Sequence, residues 1–487
     1  GEILDRLGLS FYARHQRQFL DGELSIDASV AMVDTSTAWQ PGTIGSDQSR
    51  WASGSAWVRA SYEFQLNDRW SSTTRLTFQR GQPLDRDRVV TDEEGIAFRE
   101  REYSSWAGDL SSELVFNDDA QSLRLGLDLT LDQERLFRFD TISTLTGERT
   151  EIGTDFGTLN FFYAGAFAQY ARAILPHVSV TAGLRFDYNS EVPCNSDNWD
   201  CIGSFSNTTR DSIETRGGLV QMSSRLGLVG EFEPFYVKLL YGSSFKPPSA
   251  FQLYHAPIGE RTSSGASELR PQTADVFELV GGIDHPSGLS ANLVTSLTYV
   301  DDLVIFGEQE GILRPRNASV RNLLVEAEVT YRRPWGGVAL FGTHLIDAQI
   351  EPKQLPTETD LTWSISRFNT TIEGARFPQW VYGFTGDIQF DRFTIAARGQ
   401  WVGSRPASIL NNQLFSPLQF DRTYELDSYF QLGGRVAARF SIFDTLEPTV
   451  FALEFRNLDN ASADPNVVAP ELPLPPFECG LTLAQRF

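Results

Sequence analysis

The chain has 487 residues, 63 acidic and 41 basic side chains and a formal net charge of −22, which excludes a nucleic-acid binder built on a basic surface. Mean hydropathy is −0.24 and no apolar run approaches the length of a helical membrane span, so a bundle of transmembrane helices is excluded too. Aromatic residues make up 12% of the chain, a rich supply that suits two interfacial girdles.

From the N-terminus, "ELSIDASVAM" sets Leu24, Ile26, Ala28, Val30 and Met32 on one face of a strand, because successive side chains of an extended chain point to opposite sides. A polar stretch at 33–53 follows. "AWVRASYEFQL" repeats the pattern, with Val58, Ala60, Tyr62, Phe64 and Leu66 opposed by Arg59, Ser61, Glu63 and Gln65, and stops at the turn Asn67-Asp68-Arg69. The long segment 80–102 carries Asp85-Arg86-Asp87-Arg88 and Asp92-Glu93-Glu94; the spacing is not that of an EF-hand, and the interleaved arginines favour local ion pairing over calcium. After the turn Asn117-Asp118-Asp119, leucine occupies 123, 125, 127, 129 and 131, while Arg124, Gly126, Asp128 and Thr130 fill the gaps. A long segment at 133–159, a strand at 160–173 and the turn Pro176-His177 lead to Val178, Val180, Ala182, Leu184, Phe186 and Tyr188, which alternate with Ser179, Thr181, Gly183, Arg185 and Asp187.

The polar segment 189–217 holds Cys194 and Cys201, expected to form a disulfide in an oxidising compartment, with Trp199 presented between them. Further strands are expected at about 223–232, 235–245, 273–283, 290–305, 318–332, 337–348, 380–390, 392–402, 430–441, 449–457 and 477–487. Their connections alternate. Glu233-Pro234, Asp284-His285-Pro286, Pro334-Trp335-Gly336 and Asp391-Arg392 are short turns, whereas 246–272, 349–379, 403–428 and 458–475 are long and polar. The segment 246–272 holds Lys246, Phe251, Tyr254, His255, Arg261 and Glu268; its rings and cations suit a flat or anionic ligand, and Pro247-Pro248 with the aromatics equally suit a loop folded inward.

Together these features describe an all-β protein: a transmembrane antiparallel barrel of about 22 strands, greasy outside and wet inside, formed by 1–487 as a single domain. Short turns on one rim and long loops on the other match a bacterial outer-membrane barrel, with the loops outside a Gram-negative cell and lipid and lipopolysaccharide around it. Arg59, Arg124, Asp128, Arg185, Asp187, Glu326 and Glu328 fall on the lumen side. Lysine occurs only at 238, 246 and 353; an arginine-rich surface suits phosphate headgroups, although codon bias accounts for it equally well. The five histidines, His15, His177, His255, His285 and His344, form no metal-spaced cluster, and no catalytic set, metal site or cofactor site is expected. The final strand ends on Phe487, and a terminal aromatic resembles the assembly signal of outer-membrane barrels.

"YGSSFKPPSAFQLY" (241–254) followed by "LRPQTADVFELVGG" (269–282) resembles the mid-barrel signature of TonB-dependent outer-membrane receptors. Phe245, Pro248, Ser249, Leu253 and Tyr254 match it, then Leu269, Pro271, Glu278 and Leu279; Gln272 and Phe277 replace the usual Glu and Tyr. "VTAGLRFDYNS" (180–190) and "FRNLDNASADP" (455–465) are similar to two further family segments. The resemblance implies a transporter for a scarce bulky nutrient such as an iron chelate or vitamin, with a plug domain pulled by TonB. It also implies that the lumen-side charges touch that plug. No plug is visible in this sequence, and three readings stand beside one another. The plug is removed, disordered or carried by another chain; or the barrel is a plugless scaffold filled by a partner protein; or it is an open pore.

Overall fold

Alternating side chains become, in the computed structural model, one antiparallel sheet rolled into a barrel, with no helix among the described residues. The structure describes residues 6–36, 50–84, 87–89, 96–143, 146, 149–152, 158–190, 219–248, 269–309, 312–352, 378–406, 425–426, 428–440, 449–458 and 477–484. The first strands are β1 (Arg6–Phe19), β2 (Gly22–Ser36), β3 (Arg50–Asn67), β4 (Trp70–Pro83), β5 (Arg88–Val89), β6 (Ile96–Asn117), β7 (Gln121–Ser143) and β8 (Arg149–Ile152). Then come β9 (Thr158–Leu175), β10 (Val178–Asn189), β11 (Leu219–Phe232), β12 (Phe235–Lys246), β13 (Gln272–His285), β14 (Leu289–Gln309), β15 (Ile312–Arg333) and β16 (Gly336–Pro352). The last are β17 (Trp380–Phe390), β18 (Phe393–Val402), β19 (Arg405–Pro406), β20 (Glu425–Leu426), β21 (Tyr429–Phe440), β22 (Thr449–Arg456) and β23 (Glu478–Ala484). Each long strand pairs with the next long strand in sequence; β5 and β8 are short additions, and β19 pairs only with β20.

The described residues contain 19 barrel strands rather than the expected 22 or so. Several strands are also longer than the alternation suggests. β6 starts at Ile96, inside the expected loop 80–102, and β14 and β15 reach Gln309 and Ile312, so no wide loop parts them. The register of that hairpin shifts between Val300 and Leu303, where Asp302 takes φ 58°. At the shift the outward residues are polar: Ser319 donates to Asp301 (3.0 Å), and just before it Arg321, opposite Tyr299, pairs with Asp347. Around the shift the apolar–polar alternation is lost, while the backbone pairing of β14 with β15 continues to Gln309 and Ile312.

Apolar side chains face outward. Leu127 is 61% exposed and Leu483 71%, while the fully buried apolar residues are mostly alanines. The described core cluster is merely Leu345 and Ala348 with Leu324 against them. A water-soluble chain could not expose so many large apolar groups, and only a closed sheet satisfies its backbone inside hydrocarbon. Aromatic rings frame the band. Phe19, Tyr62 and Phe64, Trp70 with Phe116, and Phe390 with Phe393 lie at the short-turn rim. Phe78 with Trp106, Phe162 with Tyr188, and Trp380 with Tyr382 lie at the loop rim.

Short turns are closed by their own side chains. Asn67 Oδ1 accepts from the N–H groups of Arg69 (2.9 Å) and Trp70 (3.0 Å), and Asp118 Oδ1 accepts from Ala120 and Gln121 (both 2.9 Å). Gly288 sits at φ +81°, and a Cβ there would lie 2.1 Å from the carbonyl oxygen of Arg332. Asp87, within the stretch expected to pair locally, is buried, and its carboxylate accepts the Ala52 N–H at 3.1 Å and holds the segment after β4 against β3. Asp85, Arg86, Asp92, Glu93 and Glu94 lie outside the described residues.

Candidate functional site on the lumen wall

Inward positions of the barrel carry the charges, and strand register decides which of them meet. Asp27 on β2 lies opposite Arg14 of β1 and Arg59 of β3. It is 2% exposed, accepts from Tyr12 Oη (2.5 Å) and Arg59 Nη2 (3.3 Å), and has Arg14 Nε at 3.6 Å. The Arg59 guanidinium also covers the ring of Trp57 at 5.4 Å. The sequence singles out Arg59 but misses Asp27 and Tyr12, because their meeting depends on register rather than on spacing along the chain.

A second group joins β7, β9 and β10. Arg185 reaches Asp128 through Nη1 at 2.6 Å and grips Asp187 through Nε at 2.8 and 2.9 Å. The guanidinium lies flat because β9 presents Gly165 beneath it: a Cβ there would fall 2.2 Å from Arg185 Nη2. Phe167 packs over Gly126 in the same way, with Arg185 5.9 Å from its ring. Two glycines thus let large groups lie flat against the wall. Arg124 stands 3.7 Å from Glu113, and Thr130 donates to Asp109 at 2.7 Å.

Glu326 and Glu328 on β15 stand apart from these arginines. They accept from Thr343 (3.4 Å) and Thr330 (3.0 Å), so the seven expected lumen residues form separate groups rather than one. Further round, Arg332 pairs with Asp387 (3.5 Å), Arg435 with Glu454 (3.3 Å) and Arg456 with Glu478 (3.7 Å).

One polar clamp ties a long loop to the wall. Asn317, 3% exposed, accepts from the Arg270 N–H (2.8 Å) and donates to the carbonyls of Arg270 (3.1 Å) and Asp302 (2.7 Å). The end of the 246–272 connection is thereby fastened beside the β14 register shift. Lys246 closes β12 at the loop rim, exposed and opposite Gln272. Trp199, Phe251, Tyr254, His255, Arg261, Glu268, Cys194, Cys201 and Phe487 lie outside the described residues. Cys479 is a free thiol on the outer face. Among the described residues no three His, Cys, Asp or Glu side chains cluster to hold a metal ion.

A family profile described as "TonB dependent receptor-like, beta-barrel" matches residues 4–458. Solved structures with the same fold include the copper transporter OprC, with TM-score 0.69 and 12% identity, covering 99% of this chain and 71% of that one. The siderophore receptor PirA from Acinetobacter baumannii gives TM-score 0.68 at 14% identity, over 98% of this chain and 70% of that one. The ferric-catecholate import receptor Fiu from K12 E. coli gives 0.62 at 12% identity, over 99% and 74%. At such identities the likeness carries the fold alone. Comparison with curated protein sequences gives no match.

Proposed function

Because the chain belongs to the TonB-dependent receptor-like β-barrel family, we propose that it is an outer-membrane receptor that takes up a scarce, bulky nutrient of the siderophore or vitamin kind with TonB supplying the pull. The observation that carries this reading is a wet wall inside a greasy shell: paired charges such as Arg185 with Asp128 and Asp187 line a lumen too wide for side chains to fill. The family match supports the receptor class, and the nutrient itself is the part that uptake must test.

In this reading Arg59, Arg124, Asp128, Arg185, Asp187, Glu326 and Glu328 hold a plug domain or other lumen-filling partner. Partly exposed ion pairs contribute only ~0–1 kcal/mol each, so water can replace such contacts at small cost when the filling domain is pulled. Many weak polar contacts hold the lumen closed yet let it open, which a dry apolar interface would not. Trp199, Lys246, Phe251, Tyr254, His255 and Arg261 grip the ligand from outside, a Cys194–Cys201 disulfide stiffens their neighbourhood, and Phe487 marks the barrel for assembly.

Uptake is the test. Cells lacking the protein are supplied with a radiolabelled ferric chelate or corrinoid at limiting concentration. Uptake that returns with the gene and vanishes when TonB is removed supports the reading. Uptake indifferent to TonB contradicts it, and a stoichiometric partner protein with no uptake of any ligand points to a scaffold barrel.

A further inference from the structure

The inner wall of β17, β18, β21 and β22 runs against the sign of the chain as a whole, and we propose that it is a track for an extended, acidic polypeptide segment within the lumen. The inference rests on the reading that the lumen holds a polypeptide and adds the charge and conformation of the part that touches this wall.

Two recesses of about 490 and 400 Å³ lie side by side here and share Asp387, Ala396 and Arg435. They open inward, because the alternate residues Phe393, Ile395, Phe430 and Val436 are exposed on the outer face. Their floor is bare: Ala396 lies opposite Arg435, Arg398 opposite Gly433, and Thr394 opposite Ala437. Small residues leave room above the backbone, and arginines rise beside it.

Charge is not balanced on this wall. Arg332 and Arg435 have Asp387 and Glu454 as partners. Arg398 and Arg439 have no ion pair or side-chain hydrogen bond among the described residues, although the chain carries a net charge of −22. Two uncompensated guanidiniums in so acidic a protein call for anions from elsewhere. Guanidinium is always charged and accepts a carboxylate through two parallel hydrogen bonds.

Spacing decides what kind of anion fits. Arg398 is level with Gly433, and Arg439 lies six residues further along β21, roughly 20 Å away at the rise of a strand. One phosphate or citrate cannot reach both. An extended peptide repeats its same-side residues about every 7 Å, so carboxylates on one side of such a segment can meet Arg398, Arg435 and Arg439 in turn.

The test places the photo-crosslinker p-benzoylphenylalanine at Gln431, which lines the larger recess, in the full-length protein in intact outer membranes. Crosslinked peptides are then identified by mass spectrometry. The expected product is a polypeptide segment richer in Asp and Glu than its parent protein, and Arg398→Gln with Arg439→Gln should cut its yield about tenfold, the scale set by losing charged contacts of this type. Arg75→Gln, an exposed lumen-side change on β4, should leave the yield unchanged. A neutral or basic segment, an adduct with lipid, no polypeptide adduct at all, or a yield indifferent to the double change would each overturn the proposal. Crosslinking needs no energised transport, so a track that persists in cells whose uptake ignores TonB separates failure of the transport reading from failure of this one.

Discussion

Leu127 and Thr130 stand three positions apart on β7 and face opposite solvents. Leu127 is 61% exposed on the outer wall, whereas Thr130 turns inward to Asp109 at 2.7 Å. Arginine at Leu127 must sit in hydrocarbon and is expected to cost ~2–4 kcal/mol, whereas Thr130→Arg, facing water, should cost little. Equilibrium urea unfolding in lipid vesicles reads both, and equal losses would contradict the assignment of faces. Gly165 offers a finer test. A methyl group there forces the Arg185 guanidinium away from Asp128, yet a part-exposed pair of this kind carries at most about 1 kcal/mol. Gly165→Ala should therefore leave the unfolding midpoint nearly unmoved while changing contacts within the lumen. A large drop in that midpoint would show the site to be a packing position instead.

Elements are held by their ends, and two ends are testable. Asn317 satisfies three backbone groups at the base of the 246–272 connection. Asn317→Ala strands buried polar groups and is expected to cost about 1–3 kcal/mol, seen as a lower unfolding midpoint and earlier protease cleavage after Leu269. At the opposite rim, the Asp118 carboxyl is held below its ordinary value of 3.8 mainly by the Ala120 N–H, then by the Gln121 side chain, against partial desolvation. A lowered folded value means that the charged form stabilises the turn. That contribution is complete above the ordinary value and fades as pH falls through the lower one. Asp118→Ala should therefore lower the melting temperature at neutral pH, with the gap to the native protein closing below about pH 4; a gap constant across that range would refute this origin. Strand parity around Leu127 and Val58 was legible because one solvent is hydrocarbon and the other water. The upper reach of β14 and β15 was not, since from the level of Tyr299 onward the outward residues Arg321, Ser319 and Asp301 are as polar as inward ones. Likewise Arg59 could be found from its own strand, but its partners Tyr12 and Asp27 belong to other strands and become neighbours only once the register is known.

At the scale of the molecule, a barrel whose described residues pack so small an apolar core can be stable only where its exterior is solvated by lipid. The purified protein should need detergent or bilayer to stay dispersed and should show β-sheet without helix by circular dichroism; dispersal in plain buffer would deny the barrel. The fold was readable because this demand repeats on every strand, and the family could be recognised from segments such as 241–254 and 269–282 in their order. The choice of nutrient was not readable. A fold hosts many cargoes, and the long connections proposed to discriminate them obey no repeating physical constraint in their sequence.

The rings that frame the apolar band also set a length. Trp70 and Phe78 on β4, Tyr382 and Phe390 on β17, and Phe393 and Trp401 on β18 each stand eight residues apart. With strands inclined as in other barrels, that separation spans roughly 20 Å of membrane thickness. Phospholipids with short acyl tails should match this span, and long-tailed ones should have to thin around it. Spontaneous insertion and folding ought to slow steadily as tails lengthen, which would keep such a protein out of thick membranes without any sorting signal.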